Sequence, residues 1–326
     1  MPIGREPIEK GSIIGKMENG EQTSDKVAKS RKESFPKIEF QYSDPIYSFD
    51  DIIISNDIRN AIEDSLSIFK YQKILFDQWK LSRVFKRNNS ILINFYGAPG
   101  TGKTMAANAV ATELGMKILW VNYADIESKY VGETSKNITY MFSEAKRQGA
   151  IIVFDEADAL LSKRVTDMSS ATDVSVNQTR SVLLHLLDEY EGVVIFTTNF
   201  IRNYDPAFMR RIPYHIKFDL PNEEFRKKIY QHYLTCTVPH SVDFDDMAQK
   251  FEGISGSDIS NAIMMAAVKT AREGLNIMPQ GYLEESICRV IQGKKDNQDM
   301  TSVRVYERNV SEEYALEQIK RRGNNL

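Results

Sequence analysis

Ile91-Leu92-Ile93-Asn94-Phe95-Tyr96-Gly97-Ala98-Pro99-Gly100-Thr101-Gly102-Lys103-Thr104 is the stretch that decides the fold. Its first half is short, apolar and partly β-branched, and it runs straight into glycines, which reads as a buried strand. Its second half fits G-x-x-x-x-G-K-[ST]. The residues from about 102 to 114 then read as a helix stopped by Gly115. Glycine lets a backbone turn tightly and lie against phosphate oxygens, and N–H groups at a helix N-terminus form a nest for anions. The spacing therefore predicts that Gly97, Pro99, Gly100, Thr101 and Gly102 cradle phosphates. Lys103 should contact the β- and γ-phosphates, and Thr104 should give its hydroxyl to Mg²⁺.

Outward from this loop, strands and helices alternate. Residues 116–121 read as a strand, 134–148 as a helix ending at Gly149, and 150–154 as a buried strand. Residues 174–190 read as a helix, and 193–197 and 214–218 as strands. That succession is the pattern of a parallel sheet with helices on both faces. Upstream, Ile62, Leu66, Phe69, Phe76 and Trp79 fall at helical spacing over 58–80. After Pro221 strands nearly vanish, and helices are expected near 222–234, 243–251, 256–273, 281–291 and 311–321. The expected division is an arm over 1–44, an α/β domain over 45–219 and a small all-helical lid over 220–326. The arm is rich in Lys, Glu, Ser and Gly with few aromatics, as a mobile docking segment or a simple tail would be.

A second site is written at the end of an expected strand, where Ile151-Ile152-Val153-Phe154 runs into Asp155-Glu156. Two acids there are costly unless they have a partner, and parallel sheets bind ligands at that edge. Asp155 is expected to hold Mg²⁺ and Glu156 to polarise an attacking water.

Composition narrows the class. An apolar fraction of 42% and a charged fraction of 27% fit a globular chain with a real core. A net charge of −3 argues against a surface built as a basic footprint for nucleic acid. Two cysteines, Cys236 and Cys288, suit a reducing compartment, and no apolar run reaches the roughly 18 residues of a membrane span. Met1 to Pro7 contains no apolar signal region, so the expectation is a cytoplasmic protein without membrane partners.

Together, Gly97–Thr104, Phe154–Asp158 and Ser128-Lys129-Tyr130-Val131-Gly132-Glu133 resemble the motifs of the AAA family of P-loop ATPases, in the family's order, over about 49–274. The resemblance implies the P-loop fold with a helical lid, ATP and Mg²⁺ as ligands, and a homo-oligomeric ring, commonly a hexamer. It assigns Asn199, in Thr197-Thr198-Asn199, to sensing the γ-phosphate and the lytic water. Asp205-Pro206-Ala207-Phe208-Met209-Arg210-Arg211 is similar to the segment whose arginine reaches a neighbouring subunit's γ-phosphate. Which of Arg210 and Arg211 does so is open at this level, because Ile212-Pro213 follows at once where a Gly-Arg is common. Tyr130-Val131-Gly132 is similar to the pore loop that grips a threaded polypeptide without reading its sequence. Phe49-Asp50-Asp51-Ile52 resembles the segment that cradles adenine, with Ile53-Ile54 where a glycine is usual. Gly253 to Ile259 resembles the start of the lid helix near the nucleotide, with Gly256 at the close approach and no arginine at its start.

The implied function is an ATP-driven remodeller of a protein client. Size and architecture, not a motif, suggest a HORMA-domain signalling protein, as handled by relatives in bacterial anti-phage defence. The rivals are a DNA-directed ATPase such as a loader or initiator, and a nucleotide-gated scaffold. The acidic balance, the aromatic loop and the missing arginine count against the first, and the intact Glu156 against the second. His185, His215, His232 and His240 lack metal-ligand spacing. Met264 and Met265 are read as lid core, and Lys80, Arg83, Lys86 and Arg87 as a solvated cluster.

Overall fold

A computed structural model describes residues 40–84, 90–122, 133–162, 171–199, 204–235, 238–296 and 304–305. Residues 1–39, most of the expected arm, lie outside them, as does the expected helix over 311–321. The main sheet is built from β1 (Tyr42–Ser43), β2 (Ile91–Gly97), β3 (Ile118–Val121), β4 (Ile151–Phe154), β5 (Val193–Thr198) and β6 (Tyr214–Phe218). Their order is β1-β3-β4-β5-β2-β6. The five longer strands run parallel, and β1 joins β3 antiparallel, so the sheet is mixed rather than purely parallel. The two residues of β1 cap an edge that would otherwise present unpaired N–H and C=O groups.

Alternation through the strands feeds two cores. Ile91, Ile93 and Phe95, with Ile151, Val153, Val193 and Ile195, face α1 (Asn56–Lys70) and α2 (Lys103–Leu114). Leu92, Ile152, Phe154, Val194 and Phe196 face α3 (Glu133–Gln148) and α5 (Ala171–Glu189). The short α4 (Asp158–Leu161) lies between β4 and α5. Both faces of the sheet are therefore buried, which is why its strands read as continuous apolar runs. Ring pairs tighten the two layers. Phe154 stacks on Phe196 at 5.1 Å, and Phe95 meets Phe218 edge-on at 5.2 Å. Such pairs contribute about 0.5–1.5 kcal/mol beyond their buried area.

The long helical stripe expected over 58–80 is interrupted. Helix α1 is capped at its start by Ser55 and ends at Tyr71, with Ile62 and Leu66 buried. The chain then takes a π-helical turn over Lys73–Gln78 and a left-handed residue at Lys80. Trp79 is exposed as a result, because the period that would have aligned it with Ile62 is lost, while Phe69 is exposed within the last turn of α1 itself.

Helix α6 (Pro206–Arg211) leads into β6. Beyond β6 follow α7 (Glu223–Leu234), α8 (Phe244–Lys250), α9 (Gly256–Arg272) and α10 (Gln280–Asp296). They surround a third core that includes Tyr230, Met247, Phe251, Ile259, Ala262, Ala266, Leu283 and Ile287. A two-residue ladder, β7 (Phe251–Glu252) against β8 (Arg304–Val305), adds strand where none was expected. Arg226 clips these helices together, donating to Ala248 O at 2.9 and 2.7 Å and to Pro221 O at 2.8 Å. Met264 and Met265 are a correction to the sequence reading: they are exposed, not core. The buried face of α9 is Ile259, Ala262, Ile263, Ala266 and Thr270, and the two methionines fall off that stripe. Among the described residues, no helix is long and apolar enough to cross a membrane.

Candidate active site at the carboxyl edge of the sheet

The phosphate loop leaves β2 at Gly97, in an opening that only glycine fills. Gly97 has a φ of +144°, and a Cβ there would stand 2.0 Å from the carbonyl oxygen of Phe218. Gly102 turns left-handed just before α2 begins at Lys103. The Lys103 side chain folds back over the loop. Its ammonium donates to Gly97 O at 2.8 Å, Ala98 O at 2.9 Å and Asn199 Oδ1 at 3.1 Å. Burial pushes the Lys103 pKa down, opposed by the nearby charges of Asp158 and Asp155. Asn199, one residue beyond β5, is held by its own N–H, which donates to the Asp158 carboxylate at 3.3 and 3.2 Å.

The acid pair stands beside this loop. Thr104 Oγ1 donates to Asp155 Oδ1 at 3.3 Å, and Thr197 donates its hydroxyl to the same oxygen. The N–H of Glu156 donates to Thr197 Oγ1 at 3.2 Å, and the N–H of Ala157 to Thr197 O at 2.9 Å. Glu156 itself has a φ of +53°. An L-residue pays about 1–2 kcal/mol for that conformation. The turn holds it there because Thr197 binds both flanks, and the residue is exposed. Strain of this kind gathers where a side chain must be aimed.

Helix α6 presents the two arginines. It starts on Asp205, which caps Ala207 N at 2.8 Å, with Pro206 at the first helical position. Arg211 is engaged within its own chain. It reaches Asp188 Oδ2 through Nε at 2.9 Å and through a terminal nitrogen at 2.8 Å, and it also donates to Ala207 O at 3.2 Å. Arg210 is exposed and makes no ion pair among the described residues. The two arginines that sequence alone left equivalent are thus different in kind.

The helices after β6 close over the phosphate loop. Ser257 N donates to Gly100 O at 3.1 Å. Gly100 has a φ of +75°, and a Cβ there would meet Ser255 Oγ at 2.6 Å and Ser257 Cβ at 2.8 Å. Ser255 and Asp258 form a capping box at the start of α9, and Lys294 of α10 pairs with the Asp258 carboxylate. A cavity of about 710 Å³ lies between the loop and these helices, with Asp51, Ile52, Lys103, Phe225 and Gly256 in its wall. Ser48 bonds the Asp51 carboxylate through its backbone N–H at 2.7 Å and its hydroxyl at 2.8 Å, and these bonds lower the Asp51 pKa. A Cβ on Gly256 would find ordinary contacts, 3.6 Å from Gly100 O and 3.7 Å from Ile229 Cδ1. The glycine that the protein's own packing requires here is therefore Gly100.

Gly97, Pro99, Gly100, Thr101, Gly102, Lys103, Thr104, Asp155, Glu156 and Asn199 thus gather at one edge, with Asp51, Ile52 and Gly256 around the adjoining cavity. Tyr130, Val131 and Gly132 lie outside the described residues. Sequence reading missed Thr197, Asp158, Asp188 and Ser257. Thr197, Asp158 and Ser257 lie in stretches that resemble the family's motifs but received no role there, and Asp188 carries no local signal.

The model of the ATPase family associated with various cellular activities (AAA) matches residues 93–220. Cell division protein C of Sulfolobus acidocaldarius is 30% identical over 276 residues, 81% of this chain and 71% of that protein. This chain belongs to the AAA family of ATPases. The proteasome-activating nucleotidase of Saccharolobus solfataricus is 34% identical over 203 residues, 60% of this chain and 51% of its own length. The 26S proteasome regulatory subunit 8 homolog of Schizosaccharomyces pombe is 32% identical over 222 residues, 66% of this chain and 55% of its own. The chain therefore spans about half the length of the proteasomal relatives it matches.

The donor set of this AAA site suits Mg²⁺ carried by a nucleotide. A hydroxyl (Thr104) and a carboxylate (Asp155) meet 3.3 Å apart beside a buried lysine. Mg²⁺ prefers oxygen ligands and usually takes one or two from protein, the rest from water and substrate phosphates.

Proposed function

We propose that this AAA chain hydrolyses ATP as a ring of six copies and uses the cycle to thread or partly unfold a protein client. The N–H groups of Gly97–Thr104 and the Lys103 ammonium bind the phosphates, and Asp51, Ile52 and Gly256 border the base. Thr104 and Asp155 hold Mg²⁺, which when bound neutralises charge on the phosphates. Glu156 takes the proton of the attacking water, and Asn199 orients that water against the γ-phosphate. Arg210 reaches the γ-phosphate of the next copy, and Arg211 supports the helix that carries it. Tyr130, Val131 and Gly132 grip the client. The proposed division is an arm over 1–44, an ATPase domain over 45–219 and a lid over 220–326.

The observation that supports this most is the contact of Lys103 with Asn199 at 3.1 Å, beside the acid pair Asp155 and Glu156. One side chain links the phosphate loop to the sensor, as a site that responds to a terminal phosphate requires. The finer reading is a HORMA-domain client in an anti-phage system of the cytoplasm, and it rests on chain size and architecture.

Glu156→Gln tests the chemistry. ATP binding should persist while turnover falls about 10²–10⁴-fold, the span of general-base catalysis. The same variant, held in ATP, should retain its client in a pull-down. A HORMA-domain protein in that pull-down would support the finer reading, and DNA in its place would replace it. Unchanged turnover would remove Glu156 as the base.

A further inference from the structure

Asn94 is a polar residue in the middle of an apolar strand, and it is completely buried. An amide in such a place is costly unless it is hydrogen-bonded. Its partners form one directed chain. Tyr204 donates its hydroxyl to Thr198 Oγ1, and Thr198 Oγ1 donates to Asn94 Oδ1 at 3.4 Å. Asn94 Nδ2 then lies 3.3 Å from His215 Nδ1. With Asn94 donating there, the ring proton of His215 sits on Nε2. Nε2 is buried and makes no hydrogen bond of good geometry among the described residues. Burial lowers the His215 pKa and so keeps the ring neutral, although the backbone of Met209 and of Ile212 stands close enough to favour a proton. Burial also pushes the Tyr204 pKa up to about 12, so its hydroxyl remains a donor.

The four residues come from three strands and one loop, and what they enclose is α6. Tyr204 stands two residues before its first residue, Pro206, and His215 lies beside its last turn. Tyr204 is also bridged to Ser162, and Asp205 N donates to Leu161 O at 2.8 Å. The other end of the chain is the catalytic edge. Thr198 immediately precedes Asn199, the partner of Lys103, and Asn94 lies on the strand that delivers Gly97.

We propose that Asn94, Thr198, Tyr204 and His215 form a buried clasp that positions α6, and with it Arg210, against the phosphate-loop strand. These are positioning residues, since none touches the reacting atoms. The clasp ties both ends of the arginine helix to the strands that carry a subunit's own sensor and phosphate loop. It fixes the angle at which Arg210 leaves the subunit. The proposal rests on the reading that Arg210 acts on a neighbouring copy.

Mixed assemblies separate the two. Glu156→Gln subunits keep the arginine and lack the base, and Arg210→Ala subunits keep the base and lack the arginine. Mixed one to one, they should hydrolyse ATP at least about tenfold faster than either alone, given an arginine worth roughly 10³–10⁵ in rate. If this mixture stays inactive, the neighbouring-arginine reading fails and the clasp's role falls with it. If it is active, Tyr204→Phe is added to the Glu156→Gln donor, removing one oxygen. The rate should return to that of the single variants, with ATP affinity unchanged. Tyr204→Phe added to the Arg210→Ala acceptor should leave rescue intact. Asn94→Leu in the donor repeats the test with the other end of the chain broken. Rescue surviving both donor variants would overturn the proposal. Equal loss from donor and acceptor would overturn it too, by marking the network as general packing.

Discussion

The phosphate loop and the arginine helix hold their cations in opposite ways. Lys103 is only 8% exposed and has three acceptors within its own chain. Arg210 is exposed and makes no ion pair among the described residues. Arg211 stands between the extremes, facing inward on Asp188. A buried cation set in place before substrate arrives belongs to a site completed from within. A solvated guanidinium at the end of a firmly capped helix is free to serve a site completed from outside, as the proposed function has it. On the proposed function, this contrast turns the α6 surface toward a second copy, whereas β2 and β5 carry the phosphate loop and Asn199 that would bind nucleotide within one copy.

The most direct way to break this comparison is to remove each arginine separately. Arg210→Ala should lower hydrolysis in the assembled protein by roughly 10³-fold or more, with ATP binding retained. Arg211→Ala should cost far less rate. Its loss should appear as lower thermal stability, since a half-exposed ion pair contributes no more than about 1 kcal/mol. Turnover and nucleotide affinity, measured on both variants, decide the matter. If Arg211→Ala is the slower enzyme, the assignment of inward and outward arginines is reversed.

A smaller effect tests the inner half. Thr197→Val keeps shape and removes the hydroxyl that bonds Asp155 and the N–H of Glu156. Hydrogen bonds to charged groups contribute about 1.5–3 kcal/mol, so turnover should fall about ten- to hundredfold. ATP affinity should change less, because Lys103 and the loop remain intact. Turnover equal to that of the unaltered protein would show that the left-handed Glu156 is held by the chain around it and not by Thr197.

How far these features could be read in advance follows from their range along the chain. The strand, loop and helix over 91–114 were legible because every signal in them is local: an apolar run, glycines at fixed offsets and a glycine stop. The acids at 155 and 156 were legible because they end an apolar strand. The pairing of Arg211 with Asp188 joins α6 to α5 and leaves no trace in either segment. The contact of Asn94 with His215 spans 121 positions. Its one sign in sequence is an amide inside Ile-Leu-Ile-Asn-Phe-Tyr, which says that a partner is needed but not which. The stripe ending at Trp79 misled because periodicity is blind to a π-helical turn. Met264 and Met265 misled because they were judged by residue type; the phase of α9 puts them outside.

Two glycines give the finest test of what is completed from within. Gly100 is left-handed and pressed against Ser255 and Ser257, whereas Gly256 has room for a methyl group among the protein's own atoms. Gly100→Ala should therefore destabilise the free protein by about 1–3 kcal/mol, the usual cost of overpacking, and loosen the contact between loop and lid. Gly256→Ala, at the first residue of a helix, should leave the melting temperature unchanged or slightly raised, since it restricts the unfolded chain without strain. Thermal melts with and without ATP then separate two roles for Gly256. If the alanine variant melts normally yet gains less stability from ATP, Gly256 is there for the nucleotide, as the resemblance of its segment implies. If the ATP-dependent gain is also normal, the close approach in this site belongs to Gly100 alone, and the lid meets the loop through packing that is complete before any nucleotide binds.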